Sequence, residues 1–119
     1  MNTNQINKIL FQNVPNVFKG TYPSDMLPKQ QFESYPAAIV ANTDPSDKSG
    51  AHWVALYFPT SNKAEYFCSY ANPPSQVFLK CLRGGGGYDR IKVNPTRVQG
   101  DLSAVCGQYS VYFILKRDQ

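Results

Sequence analysis

The chain has 119 residues, 42% hydrophobic and 13% aromatic, with nine prolines and eight glycines. That length suits one domain around one core and is too short for two of ordinary size, so residues 1–119 are expected to form a single domain. The Pro and Gly content predicts many turns rather than long helices.

The formal net charge of +4 is unevenly placed: residues 1–50 hold four lysines against four carboxylates, and residues 51–119 hold eight basic residues against four acidic ones. The opening "MNTNQINKILFQN" lacks the apolar run of a signal peptide, and no later run approaches the roughly 20 apolar residues that cross a bilayer. An intracellular protein that does not enter a membrane is expected. The three cysteines (Cys68, Cys81, Cys106) and the sole histidine, His52, fit neither a disulfide framework nor a metal-ligand spacing. Reduced thiols are expected, with no metal and no cofactor.

In chain order, Asn2 or Thr3 is placed to cap a short helix in which Ile6, Ile9 and Leu10 share a face. "VFKGTYPSDMLP" reads as an ordered loop. "AAIVANT" suits a buried strand, "DPSDKSG" is a turn-rich break, and "HWVALYFP" with "AEYFCSY" predicts a hairpin across the polar turn "TSNK". Ser75 is placed to cap a helix through Leu82, which the glycines from Gly84 to Gly87 would end. "YDRIKVN" and "TRVQ" read as strand or extended segments. In the last element, Val105, Tyr109, Tyr112, Phe113 and Lys116 recur at helical spacing, with Ser103 as cap and Lys116 and Arg117 complementing the C-terminal dipole. The order predicts an α+β domain whose antiparallel or mixed central sheet is flanked by helices.

Lys80, Arg83, Arg90, Lys92 and Arg97 fall within eighteen positions. They form either a phosphate-attracting surface or a solvated face with no polyanion partner.

Cys106 falls at the first turn of the last helix, where unpaired amides favour an anion and a thiol is more readily ionised. The alternative is a small buried hydrophobe, the usual state of a free cysteine. His52 heads a strand, rigidly held yet able to reach a cleft; otherwise it is a half-buried surface histidine. Gln99, seven residues before Cys106, carries an amide able to stabilise an oxyanion, though a lone Gln is ordinarily polar surface.

Taken in order, "FKGTYPSDMLP", "GAHWVALYF", "EYFCSYANPP" and "VQGDLSAVCGQYSVYFIL" resemble the adenovirus-type cysteine proteases, especially those of Polinton/Maverick elements and adenovirus-like viruses. The likeness covers roughly residues 17–115. It implies a papain-type fold similar to that of the SUMO-specific proteases, with His52 as general base, Cys106 as nucleophile and Gln99 as oxyanion donor. The implied activity is a thiol endopeptidase that processes viral or element-encoded polypeptides. The implied setting is the host cytoplasm or nucleus, or the virion, with DNA or an activating peptide as partner.

Two positions depart from the family pattern. Cys68 stands where the family has Asp or Glu, and Ala71 where it commonly has Gly. An ionised acid holds the histidine tautomer and stabilises its cation, so its loss is expected to impair catalysis. Asn72 can orient the histidine by a neutral amide, as in papain-like enzymes, or is a turn residue before Pro73 and Pro74. Glu65, three positions before Cys68, falls on the opposite strand face. A catalytically silent module that binds peptide or polyanion is therefore the alternative to an active endopeptidase.

Overall fold

Helix α1 (Thr3–Asn13) begins where the sequence offers a reciprocal cap. Asn2 Oδ1 accepts from the Gln5 amide and Gln5 Oε1 accepts from the Asn2 amide, both at 2.9 Å. Two amides at the helix start are thus satisfied. Ile6 and Leu10, one turn apart, are the buried residues of this helix. The structure, a computed structural model, describes residues 1–29, 31–47, 52–85, 87–95, 97 and 105–119.

Five strands, β1 (Phe18–Tyr22), β2 (Ala37–Asn42), β3 (Trp53–Thr60), β4 (Lys63–Phe67) and β5 (Arg90–Val93), form one sheet in sequence order. β2, β3 and β4 are mutually antiparallel, while β1 and β5 join the edges in parallel. The sheet is therefore mixed. The predicted hairpin is β3–β4, and β2 is buried at every position, as its unbroken apolar run requires for a strand covered on both faces.

Alternation along the strands divides the core in two. On one face Ala38, Val40, Ala55 and Tyr57 pack against Ile6 and Leu10 of α1 and against Val111 and Ile114 of α3 (Cys106–Arg117). On the other, Ile39, Val54, Leu56, Tyr66 and Cys68 pack against Phe78 of α2 (Gln76–Lys80), Leu82, Leu27 and Tyr88. The result is an α+β layer arrangement with the sheet between helices. No helix among the described residues is long and apolar enough to cross a membrane.

Four local expectations are corrected. "FKGTY" is an edge strand, followed by a 3-10 turn at Ser24–Met26, rather than a loop. Its Gly20 sits at φ +121° beside a register shift, so strand periodicity is broken in sequence although pairing with β2 holds the segment extended. The helix after Ser75 is shorter than predicted: α2 ends at Lys80 and continues as a π-type turn over Cys81–Gly85, and the Ser75 side chain makes no capping hydrogen bond. The N-cap position of α3 is Val105, while Ser103 lies outside the described residues, as does all of "TRVQ" except Arg97.

Helical spacing alone does not say which face of α3 is buried. Gly107, Ser110, Val111 and Ile114 face the sheet, whereas Tyr112 is 59% exposed and Val105 37% exposed. Close approach to β3 selects the small residues for the inner face. The bulky stripe is displaced outward, where Tyr109, Tyr112, Phe113 and Lys116 line a shallow apolar groove with Phe67.

Candidate active site

At one end of the sheet meet the head of β3, the turn after β4, the residue after β5 and the first turn of α3. The β2–β3 ladder extends one pair beyond Trp53, because the Thr43 amide donates to the His52 carbonyl at 2.9 Å. His52 is thus fixed in strand register, on the face shared with Val54 and Leu56. Its ring meets Cys68, one residue past β4, with Nε2 3.2 Å from Sγ.

Cys68 is itself clamped. Its amide donates to Asn94 Oδ1 at 2.9 Å, and Asn94 Nδ2 donates to its carbonyl at 2.7 Å. The same carbonyl accepts from the Ala71 amide at 2.8 Å, closing a tight turn over Cys68–Ala71. Ala71 takes φ +59°, in the left-handed region, which accounts physically for a glycine preference at this position. The turn lays Tyr70 on the imidazole, with ring centres 4.8 Å apart and planes inclined by 31°. The Arg97 guanidinium carbon lies 4.9 Å from the centre of the Tyr70 ring.

Cys106 is the first residue of α3, and its Sγ accepts from the Trp53 amide at 3.4 Å. The Trp53 ring is on the opposite face from His52, with Nε1 donating to the Met1 carbonyl at 2.9 Å, and the Trp53 carbonyl accepts from Ser110 Oγ at 3.3 Å. A Cβ at Gly107 would lie 3.0 Å from Met1 Cβ and 3.1 Å from Trp53 Cδ1. Glycine here lets α3 come close enough to β3 for the thiol to reach the strand amide.

His52, half-buried, has a pKa held below its ordinary 6.5 by burial, so its imidazole is neutral near pH 7. Burial foremost, and then Cys68, push the Tyr66 phenol upward, and it remains un-ionised. Cys81 is set apart from this site. Its Sγ donates to the Pro28 carbonyl at 3.1 Å, and burial pushes its thiol up. Among the described residues no group of three His, Cys, Asp or Glu side chains could hold a metal ion.

The structure therefore brings His52 and Cys68 into direct contact and sets Cys106 against the residue next to His52. Among the described residues, the imidazole hydrogen bond is to Cys68 and none joins His52 to Cys106. Asn72 stands on the rim of a cleft of about 330 Å³ lined also by Thr43, His52, Cys68 and Tyr70, and it does not bond the imidazole. Gln99 lies outside the described residues. Glu65 faces away from Cys68 and holds Arg117 of α3 through two 2.8 Å hydrogen bonds.

The five basic candidates are dispersed. Lys80 lines a cleft with Asp25 and Lys29, Arg90 and Lys92 line another with Lys63, Glu65, Asp89 and Arg117, Arg83 is exposed in the turn after α2, and Arg97 sits at Tyr70. Sequence reasoning missed Asn94 and Tyr70. The one available signal for Asn94 was its place before Pro95, where the ladder ends and a side chain is free to bond backbone.

No family model matches the chain, and no curated protein matches it. Among solved structures it is similar to the selenomethionine crystal structure of an ASFV protease, at 25% identity and a TM-score of 0.48 over 67% of this chain. The match covers 34% of the protease, so the chain spans about a third of its length.

Proposed function

We propose that the chain is a thiol-protease-like hydrolase in which Cys106 attacks a peptide carbonyl and His52 manages the proton. The observation that supports this is the succession at one sheet end: a thiol at a helix start with a strand amide on its Sγ, the sole histidine as the next residue back along that strand, and a third polar side chain on Nε2. A nucleophile, a base and an orienting group in that order make the acyl-transfer constellation. Catalytic hydrogen bonds are often long in a site without substrate and tighten on binding.

In the proposed reaction Cys106 loses its proton to the imidazole and the thiolate adds to the carbonyl carbon. The Gln99 amide stabilises the resulting oxyanion. The C–N bond then breaks as the imidazolium protonates the leaving amine, and water hydrolyses the thioester to release the acid and restore the thiol. The sequence resemblance makes the substrate a viral or element-encoded polypeptide. It also makes DNA or a peptide the activator, in an intracellular or virion setting.

Brief iodoacetamide treatment with mass mapping tests the nucleophile. Cys106 should label first near neutral pH, ahead of Cys81 with its raised pKa and of Cys68, which is 1% exposed. Cys68→Asp should raise the rate of Cys106 alkylation, and any peptidase activity, about 10- to 10³-fold, less than the serine-protease penalty for a missing acid because a thiol needs less help. Earlier labelling of Cys81 or Cys68 rejects the assignment. A folded Cys68→Asp protein with no gain leaves the peptide- or polyanion-binding module as the reading.

A further inference from the structure

Cys68 occupies the place of an acid, but its side chain carries a proton that an ionised acid lacks, so its 3.2 Å contact with His52 Nε2 can run in the opposite sense. A carboxylate only accepts, so beside Nε2 it demands a proton on that nitrogen and leaves Nδ1 with its lone pair. A thiol carries one proton, which it donates weakly, and its sulfur is also only a weak acceptor, so the one feature that sets it apart from a carboxylate is that it can donate. The imidazole Nε2, at 3.2 Å, is the side-chain partner of Cys68 Sγ, and Cys68 is too buried to turn its proton to water.

From this geometry we infer that Cys68 is a positioning residue that holds His52 in the tautomer opposite to the one an acid would select: the thiol donates to Nε2 and keeps the ring proton on Nδ1. The inference rests on His52 being the base for Cys106. With Nδ1 protonated, the nitrogen left for Cys106 is a donor. It can hold a Cys106 thiolate, but it cannot accept the thiol proton or become imidazolium without reversing the Cys68 bond.

The surroundings leave little freedom to escape this arrangement. Asn94 fixes the Cys68 backbone from both sides, Tyr70 lies on the ring, and the backbone of His52 is in the β2–β3 ladder. Among the described residues, the titratable or charged groups around the pair are Tyr66 of β4, Tyr70, Arg97 at the Tyr70 ring, and Cys106 of α3. None of these four is a carboxylate that could restore the other polarity. The Cys68 thiol is thus a brake on the site as well as a missing acid.

Because His52 is the chain's one histidine, selective ¹⁵N labelling of histidine in the full chain gives one imidazole, and a two-bond ¹H–¹⁵N correlation shows which nitrogen carries the proton. The wild-type protein near pH 7 should show a protonated Nδ1. Cys68→Ser, which keeps a one-proton donor, should show the same. Cys68→Ala should lose the preference and average both tautomers. Cys68→Asp should move the proton to Nε2 and let the ring hold its second proton at a tenfold or lower acid concentration, one pKa unit upward.

Protonated Nε2 in the wild type, or an unchanged tautomer in Cys68→Ala, overturns the inference, and the amide spectrum identifies any variant that fails to fold. Should Cys68→Asp not fold, the wild-type, Ser and Ala spectra decide. Cys106 alkylation measured on the same samples separates this from the proposed function. The expected tautomers with a Cys106 that stays inert even in folded Cys68→Ala and Cys68→Asp reject the protease reading alone, and a reactive Cys106 beside a protonated wild-type Nε2 rejects the tautomer assignment alone.

Discussion

Gly107→Ala tests whether the thiol is placed by close approach of α3 to β3. The added Cβ would lie 3.0 Å from Met1 Cβ and 3.1 Å from Trp53 Cδ1, about 0.5–1 Å inside ordinary carbon contact. The two neighbours hold each other, since Trp53 Nε1 donates to the Met1 carbonyl, and the Trp53 carbonyl accepts from Ser110 Oγ. Overpacking of this kind costs about 1–3 kcal/mol, offset by up to about 1 kcal/mol from replacing glycine in a helix. The expected net loss is about 0.5–2 kcal/mol, read as a lower urea midpoint from the fluorescence of the single tryptophan. As the first turn backs away, the 3.4 Å contact of the Trp53 amide with Cys106 Sγ lengthens. Loss of one hydrogen bond, about 0.5–1.5 kcal/mol, should slow Cys106 alkylation about 2- to 10-fold. A variant with an unchanged midpoint and an unchanged rate would refute the idea that Gly107 sets the distance.

Two further outcomes are expected. The folded-state pKa of His52 lies below its unfolded 6.5, so between those values the unfolded chain binds more protons; the contribution is full above 6.5 and is lost as pH falls through the folded value. The urea midpoint of the wild type should therefore fall more steeply than that of His52→Gln on going from about pH 7 to 5, and parallel curves would contradict burial as the cause. Ala71 at φ +59° bears the left-handed penalty of about 1–2 kcal/mol, against about 0.5–1 kcal/mol for the extra freedom of an unfolded glycine. Ala71→Gly should raise stability by up to about 1.5 kcal/mol, and a lower denaturation midpoint would show that the turn is not strained.

What could be read in the sequence was whatever depends on local order. Asn2 or Thr3 was legible as the α1 cap, though not the reciprocal bond of Gln5, and "AAIVANT" and "HWVALYF" carry their strands in composition. What could not be read depends on partners distant in sequence. Phe18–Tyr22 is a strand because β2 lies beside it, although Gly20 breaks its pattern. On α3 the helical spacing was legible but the buried face was not, because it is set by the approach to Trp53, which places Gly107 and Ser110 against that strand.

The site follows the same division. His52 and Cys106 stood out as rare residues at an element's start, while Asn94 and Tyr70 carried no such mark, since a clamp on a backbone and a ring on a ring are products of tertiary placement. Cys68 lies between the two cases. Sequence alone makes residue 68 a subtraction, an acid lost from a triad. If the thiol donates across its 3.2 Å approach to Nε2 from a clamped backbone, the change is one of sign, because a donor and an acceptor at the same place ask the imidazole for opposite tautomers. The strand register of His52 and the Tyr70 ring on it hold the imidazole against residue 68. If the Cys68 thiol donates to Nε2, the geometry that would suit an aspartate is the same geometry that opposes proton transfer to the imidazole.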